Sequence, residues 1–246
     1  LIELMIVVAI IAIIAAIAIP GLLQARLGAN ESSAIGTLKS IVSSQENYRT
    51  QAVNDGDGDG EGEYGFLSQL SGQQAPFAIV AGAPAVSPNG NLISQGRATF
   101  ISPAFGVTNA SSEVSKSGYF IFHMLPTATG AAPAADGALS VAPPLPALTD
   151  CDNMEVRWGC YAWPVTAGQT GKRAFVTNQS GEIAQQDNAG LAGVFNYSAT
   201  AAILVGTCNV AYLTGFGADL GGGIGIASGT PPASTSNDTF IWLPAK

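Results

Sequence analysis

The sequence predicts an α+β chain in which one long N-terminal helix precedes short strands set among long loops. Three observations carry that reading. An unbroken apolar run opens the chain, a helix-period repeat follows it, and beyond residue 117 aromatic and β-branched stretches alternate with turn residues.

The opening run is LIELMIVVAIIAIIAAIAIP. Leu4 to Ile19 are sixteen consecutive apolar residues, and Glu3 is the one charge near them. About 20 apolar residues span a hydrocarbon core ~30 Å thick, so the run stands at the lower edge of sufficiency. Pro20-Gly21 weakens the helix directly after it. Three roles compete for such a stretch: a secretory signal peptide, a plain membrane anchor, or a helix that packs against copies of itself. A signal peptide carries a basic n-region. Here no Lys or Arg precedes Arg26, and an acid stands where a base belongs. A plain anchor gives Glu3 nothing to do, although a carboxylate in lipid costs several kcal/mol.

Beyond Pro20 the helix continues. Ile35, Leu38, Ile41, Val42, Tyr48 and Ala52 fall close to the spacing of an amphipathic helix, with Ser40, Ser43, Glu46, Asn47 and Arg49 between them. Gly21, Gly28 and Asn30 mark a weaker segment, since Gly costs about 1 kcal/mol relative to Ala. A helix to about residue 52 extends ~78 Å at 1.5 Å per residue. That is longer than a globular domain, so the first half protrudes, and it needs lipid or other copies of itself.

These N-terminal residues resemble those of mature type IV pilins. Glu3 and Pro20 keep that family's separation of seventeen residues within a near-identical apolar helix. The resemblance implies a pilin fold, with the C-terminal half of the helix packed on an antiparallel β-sheet domain. It implies assembly roles for Glu3 and Pro20, with Glu3 compensating a neighbouring subunit's positive N-terminus. The expected partners are copies of the same chain, the membrane before assembly, and the pilus assembly machinery. It also places two further residues ahead of Leu1.

The remaining elements follow in order. Residues 1–53 form the helix, divided into an apolar half (1–20) and an amphipathic half (21–53). Residues 54–117 are an acidic loop and a connecting region with brief apolar pieces at Phe77–Val80 and Thr99–Ile101. Residues 118–187 hold the sheet, with strands at Gly118–Leu125, Gly159–Trp163, Arg173–Thr177 and Glu182–Ala184, the last two joined by a turn at 178–181. An Ala/Pro/Gly stretch at 127–148 is a surface excursion. The order of these strand segments resembles the antiparallel sheet of certain large bacterial pilins. Residues 188–246 form a C-terminal extension, with Ala201–Val205 and Thr239–Leu243 as further strand candidates.

The acidic loop reads NDGDGDGEGEY, with Asp55, Asp57, Asp59, Glu61 and Glu63 alternating with Gly. Asp at positions 1, 3 and 5 with Gly60 at position 6 matches half of a calcium loop, but position 12 is Phe66 instead of Glu. Calcium held by Asp55, Asp57, Asp59 and Glu61 is one expectation, and a solvated acidic loop is the other. Cys151, Cys160 and Cys208 suit an oxidising exterior. Proximity favours a Cys151–Cys160 disulfide, with a bridge from Cys208 as the alternative.

The net charge of −8 and scattered basic residues exclude a general nucleic-acid grip, which needs basic patches. Charged residues are only 11% of the chain, below the ~25% usual for soluble domains, which fits a secreted structural protein. His123 is the one histidine, in a strand-like setting, so neither a Ser/His triad nor a zinc site is proposed and no enzyme is expected. The function expected from the resemblance is therefore a structural subunit of an extracellular type IV pilus. A pseudopilin of a type II secretion system and a pilus-associated adhesin are the alternatives.

Overall fold

The computed structural model describes residues 1–55, 59–74, 77–80, 83–86, 99–109, 112–125, 134–135, 151–187 and 243–245. A single helix, α1 (Ile2–Thr50), runs for 49 residues and includes Pro20. At 1.5 Å per residue it is ~74 Å long. It remains helical through Gly21, Gly28 and Asn30. Ala52, in the left-handed region at φ 44°, ends it, its N–H donating to the Arg49 carbonyl at 2.9 Å.

The two halves of α1 have different surroundings. Large apolar residues from Leu1 to Leu23 are exposed. From Leu27 onward one face is buried: Leu27, Glu31, Ala34, Leu38, Ile41, Gln45 and Tyr48. Their alternating steps of four and three residues make a narrow seam of 3.5-residue period. Ile35 and Val42 flank it, partly buried, while Ala52 is exposed. Two of the seam positions, Glu31 and Gln45, are polar.

The seam packs on an antiparallel sheet. Its longer strands are β3 (Glu113–Lys116), β4 (Tyr119–Leu125), β6 (Gly159–Pro164), β7 (Arg173–Asn178) and β8 (Ile183–Asp187), in that spatial order. Two-residue strands, β5 (Ala134–Ala135) and β9 (Leu243–Pro244), pair with β4 and β8 respectively. A separate hairpin joins β1 (Phe77–Val80) and β2 (Ala83–Val86). The expected strands at 118–125, 159–163, 173–177 and 182–184 correspond to β4, β6, β7 and β8, each shifted or lengthened by a few residues at most.

Strand β3 lies inside the stretch read as connecting region. It joins β4 through Ser117 and Gly118, both at positive φ (51° and 76°), the geometry of a tight two-residue hairpin turn. Thr99–Ile101 is not a strand; the Phe100 N–H donates to the Leu70 carbonyl at 2.9 Å, tying this segment to the short helix α2 (Leu67–Leu70). The turn at 178–181 forms as expected. Asn178 Oδ1 accepts from the Ser180 N–H at 3.0 Å, and Gly181 sits at φ 72°. Strand candidate 201–205 and most of 239–243 lie outside the described residues.

Alternation along the strands divides the sheet into two faces. Tyr119, Ile121, Cys160, Ala162 and Phe175 join Leu38, Ile41 and Tyr48 in the core beneath α1. Phe122, Tyr161, Trp163 and Val176 are buried on the opposite face. Trp158, which follows the short helix α3 (Cys151–Val156), closes one end of the core together with Tyr64, Phe66 and Leu67.

Leu38 is fully buried in the middle of the seam. Leu38→Ala should lower stability by about 2–5 kcal/mol, the usual range for a core leucine. Denaturant unfolding of the full chain in detergent micelles, followed by Trp fluorescence, checks this. A loss below about 1 kcal/mol would mean that the seam is not the helix's main attachment.

Candidate functional site

The most distinctive surface of the molecule is the apolar half of α1. Within it lies an 18-residue window of mean hydropathy 3.1, none of it buried, and the helix is long and apolar enough to cross a membrane. Burying a Val, Leu, Ile or Met side chain stabilises by about 1.5–3 kcal/mol, so a continuous row of them left in water is a strong drive toward lipid or protein. Glu3 lies in the first turn of this half, exposed, and Pro20 lies in its last turn. A carboxylate in a first helical turn is favourably placed for the helix dipole. The two residues singled out from the sequence thus bracket the apolar surface, one at each end.

Where α1 meets the sheet, polar contacts begin at Asn30 and Glu31. Asn30 Nδ2 donates to the Thr170 carbonyl at 2.8 Å. The Glu31 carboxylate, 7% exposed as a residue, accepts from four groups. Its Oε1 takes the backbone N–H groups of Lys172 (2.9 Å) and Arg173 (3.3 Å). Its Oε2 takes Arg173 Nε (2.8 Å) and lies 2.6 Å from Nη2. Arg173 Nη1 donates to Gln185 Oε1 at 2.6 Å, which extends the chain of contacts to β8. Burial, with the Glu31 carboxylate second, raises the phenol pKa of nearby Tyr119, opposed by Arg173.

Nearer the C-terminal end of α1, Gln45 connects three elements. Its Nε2 donates to the Gly65 carbonyl at 2.6 Å, and its Oε1 accepts the Gly65 N–H at 3.1 Å. The same Nε2 lies 2.8 Å from His123 Nε2. With the amide nitrogen as donor, His123 Nε2 is the acceptor and the ring proton resides on Nδ1, which has no hydrogen-bond partner among the described residues. The imidazole stacks on Trp158 (5.6 Å, 25°) and meets Phe66 edge-on (6.1 Å). Burial holds its pKa down at about 3. The ring is therefore held neutral within the core.

The acidic loop is closed at its base by the Glu63 N–H, which donates to the Asn54 carbonyl at 3.0 Å. Asp59 and Glu61 are exposed, Asp55 is half-buried, and Asp59 Oδ1 accepts the Glu61 N–H at 2.8 Å. Asp57 lies outside the described residues, and among those described no group of three acidic or other ligating side chains converges. Glu63, read as part of the solvated run, is fully buried. Cys160 carries a free thiol inside the core, on the α1 face of β6 between His123 and Thr177, and is not bridged to Cys151. Burial pushes the thiol pKa up and keeps it protonated. The Cys151 side chain and Cys208 lie outside the described residues.

Glu31, Gln45 and Arg173 were not singled out from the sequence. The signal was present: each of the two helix residues falls at a seam position, where an apolar residue would otherwise stand.

Neutral burial of His123 makes stability depend on pH. Its folded pKa of about 3 lies below the ordinary 6.5, so the unfolded chain binds the proton more readily. This contribution is present above pH ~6.5 and is lost as pH falls toward 3, at about 1.4 kcal/mol per pH unit. Denaturation midpoints between pH 7 and 4 should fall more steeply for the wild type than for His123→Leu, which carries no titrating ring. Equal slopes would refute the neutral buried ring.

No curated protein and no solved structure matches the chain. A family model described as "Protein of unknown function (DUF2950)" matches residues 16–194. The match begins within the apolar half of α1 and takes in the seam, the Asn30 and Glu31 contacts and strands β3 to β8. The chain belongs to this DUF2950 family.

Proposed function

We propose that this chain is a structural subunit of an extracellular type IV pilus, a helical homopolymer whose apolar half-helices bundle in the fibre core. The observation that carries the reading is the unburied apolar window on a helix that continues without a break into a docked half. A helix apolar on all sides is stable only inside lipid or among other apolar helices. The docked half makes the second solution available, because each copy arrives with its sheet domain already folded and its apolar half free to pack.

Glu3 gives the bundle a register. An unpaired carboxylate among apolar helices is costly, whereas one paired with a neighbour's N-terminal ammonium specifies axial position. Pairing needs a fixed offset between copies, and the small set of polar groups near the helix start leaves that offset little choice. The pseudopilin reading shares this architecture, and the acidic loop at 54–63 favours it mildly.

Negative-stain microscopy of sheared surface material, with mass-spectrometric identification of the main protein, tests the proposal. Fibres built largely of this chain are expected. Glu3→Ala should reduce fibre yield at least tenfold while near-UV circular dichroism of the sheet domain stays unchanged. Recovery of the chain only as single membrane-anchored molecules, or unchanged fibre yield for Glu3→Ala, would overturn the filament or the register role respectively.

A further inference from the structure

We propose that Glu31 and Arg173 form a neck clamp that fixes the direction and rotation at which the apolar half-helix leaves the sheet domain. Asn30 and Glu31 are, among the described residues, the helix residues nearest the N-terminus that hydrogen-bond to the domain. Every residue from Leu1 to Arg26 is exposed or, at Ala15 alone, half-exposed. Beyond the neck only Leu27 is still buried, and the helix axis has no further guide ahead of it.

The clamp is built for direction more than for adhesion. One carboxylate takes four donors from two successive residues of the sheet domain, two from the backbone and two from a guanidinium fork. Both guanidinium donors converge on Oε2 while the backbone N–H groups take Oε1, so each carboxylate oxygen is held by its own set of donors and the group is fixed in rotation as well as in distance. The Arg173 fork is in turn held from β8 by Gln185, and the Tyr119 hydroxyl donates to the Arg173 carbonyl at 3.0 Å. The Asn30–Thr170 hydrogen bond acts on an adjacent side of the helix. Gly118 permits this approach, since a Cβ there would lie 3.1 Å from Asn30 Nδ2.

The lever is long. Leu1 to Arg26 extends ~40 Å at 1.5 Å per residue, so a tilt of about 10° at the neck displaces the tip by roughly 7 Å. Below the neck, Leu38, Ile41 and Tyr48 resist detachment of the helix and Gln45 fixes its far end, while the bonded Glu31 carboxylate acts at the end from which the apolar half departs. The orientation itself stands whatever the apolar half packs against, whereas its use in setting the outer surface of a fibre rests on the filament reading.

Electron–electron double resonance on the full chain in detergent micelles tests the clamp, with nitroxides attached through ketone-bearing unnatural residues at the exposed positions Ala16 and Ser115. The wild type should give one narrow distance distribution. Glu31→Ala and Arg173→Met should broaden it at least twofold. Arg173→Lys, which keeps the charge and loses the fork, should broaden it to a lesser degree. Hydrogen exchange of the β4, β6 and β7 amides should remain at wild-type levels in all three. Leu38→Ala serves as a control that weakens the domain without widening the distribution. Wild-type width in any folded Glu31→Ala or Arg173→Met sample would overturn the proposal. Loss of sheet protection in all three variants would overturn it too, because the pair would then hold the domain together instead of aiming the helix. Fibre assays do not enter this measurement, so its failure is distinguishable from failure of the filament reading.

Discussion

One helix in this molecule has to satisfy two surroundings, and the rest of the structure follows from where it passes from one to the other. From Leu27 to Tyr48 the helix presents a narrow seam to a sheet, and the sheet's own alternation supplies the complementary apolar face. From Leu4 to Ile19 it presents apolar residues on every side, and none of the residues before Leu27 is buried. Because the seam follows a 3.5-residue period on a 3.6-residue helix, its buried stripe drifts only slowly around the axis. The two halves thus differ in what surrounds them and share one continuous backbone.

Polar residues occupy the seam where a purely apolar one would leave position undefined. Glu31 reads β7 through backbone N–H groups and a guanidinium, and Gln45 reads Gly65 and His123 together. Burying such groups gains little net stability compared with apolar residues of equal size. They discriminate instead, since a helix shifted by one turn would bury the same groups without partners. Gly65 shows how tight the fit is: a Cβ there would lie 2.8 Å from both Leu70 and Tyr48. The His123 ring completes this arrangement as a flat neutral spacer between Gln45 and Trp158.

Much of this architecture was legible in the sequence, and what was not has identifiable causes. The apolar run and the helix period announced α1, and aromatic, β-branched runs announced β4, β6 and β7. Strand β3 escaped because Glu-Val-Ser-Lys lacks that composition; the Ser117-Gly118 turn was its only signal. Glu31 and Gln45 were passed over for a different reason, although their seam positions carried a signal. A polar residue on a helix ordinarily marks the solvent side, and only partners 20 to about 140 residues away make these two inward-facing. Glu63 misled similarly, because it closes an acidic run yet turns into the core. Cys160 is a short distance in sequence from Cys151, but its strand register points the thiol under α1. Sequence proximity carries no information about pleat direction.

The spacing of Pro20 and Glu31 along α1 ties the two halves together dimensionally. Residues 1–20 extend ~30 Å as a helix, which equals the hydrocarbon thickness of a typical bilayer. Pro20 has no N–H, so the Ala16 carbonyl lacks its helical partner. Within hydrocarbon an unsatisfied carbonyl is expensive, whereas at the boundary with headgroups and water it is readily solvated. On the proposed reading, Pro20 therefore stands near the one depth where a membrane-inserted chain tolerates it. Glu31 lies eleven residues farther, ~16 Å along the axis. A bilayer with its headgroups is ~40–45 Å thick, so this spacer carries the neck clear of the interfacial layer on that side. On the proposed filament reading, the sheet domain folds and locks in water while the apolar half is still in lipid, and transfer from lipid to a bundle of like helices requires no change below the neck.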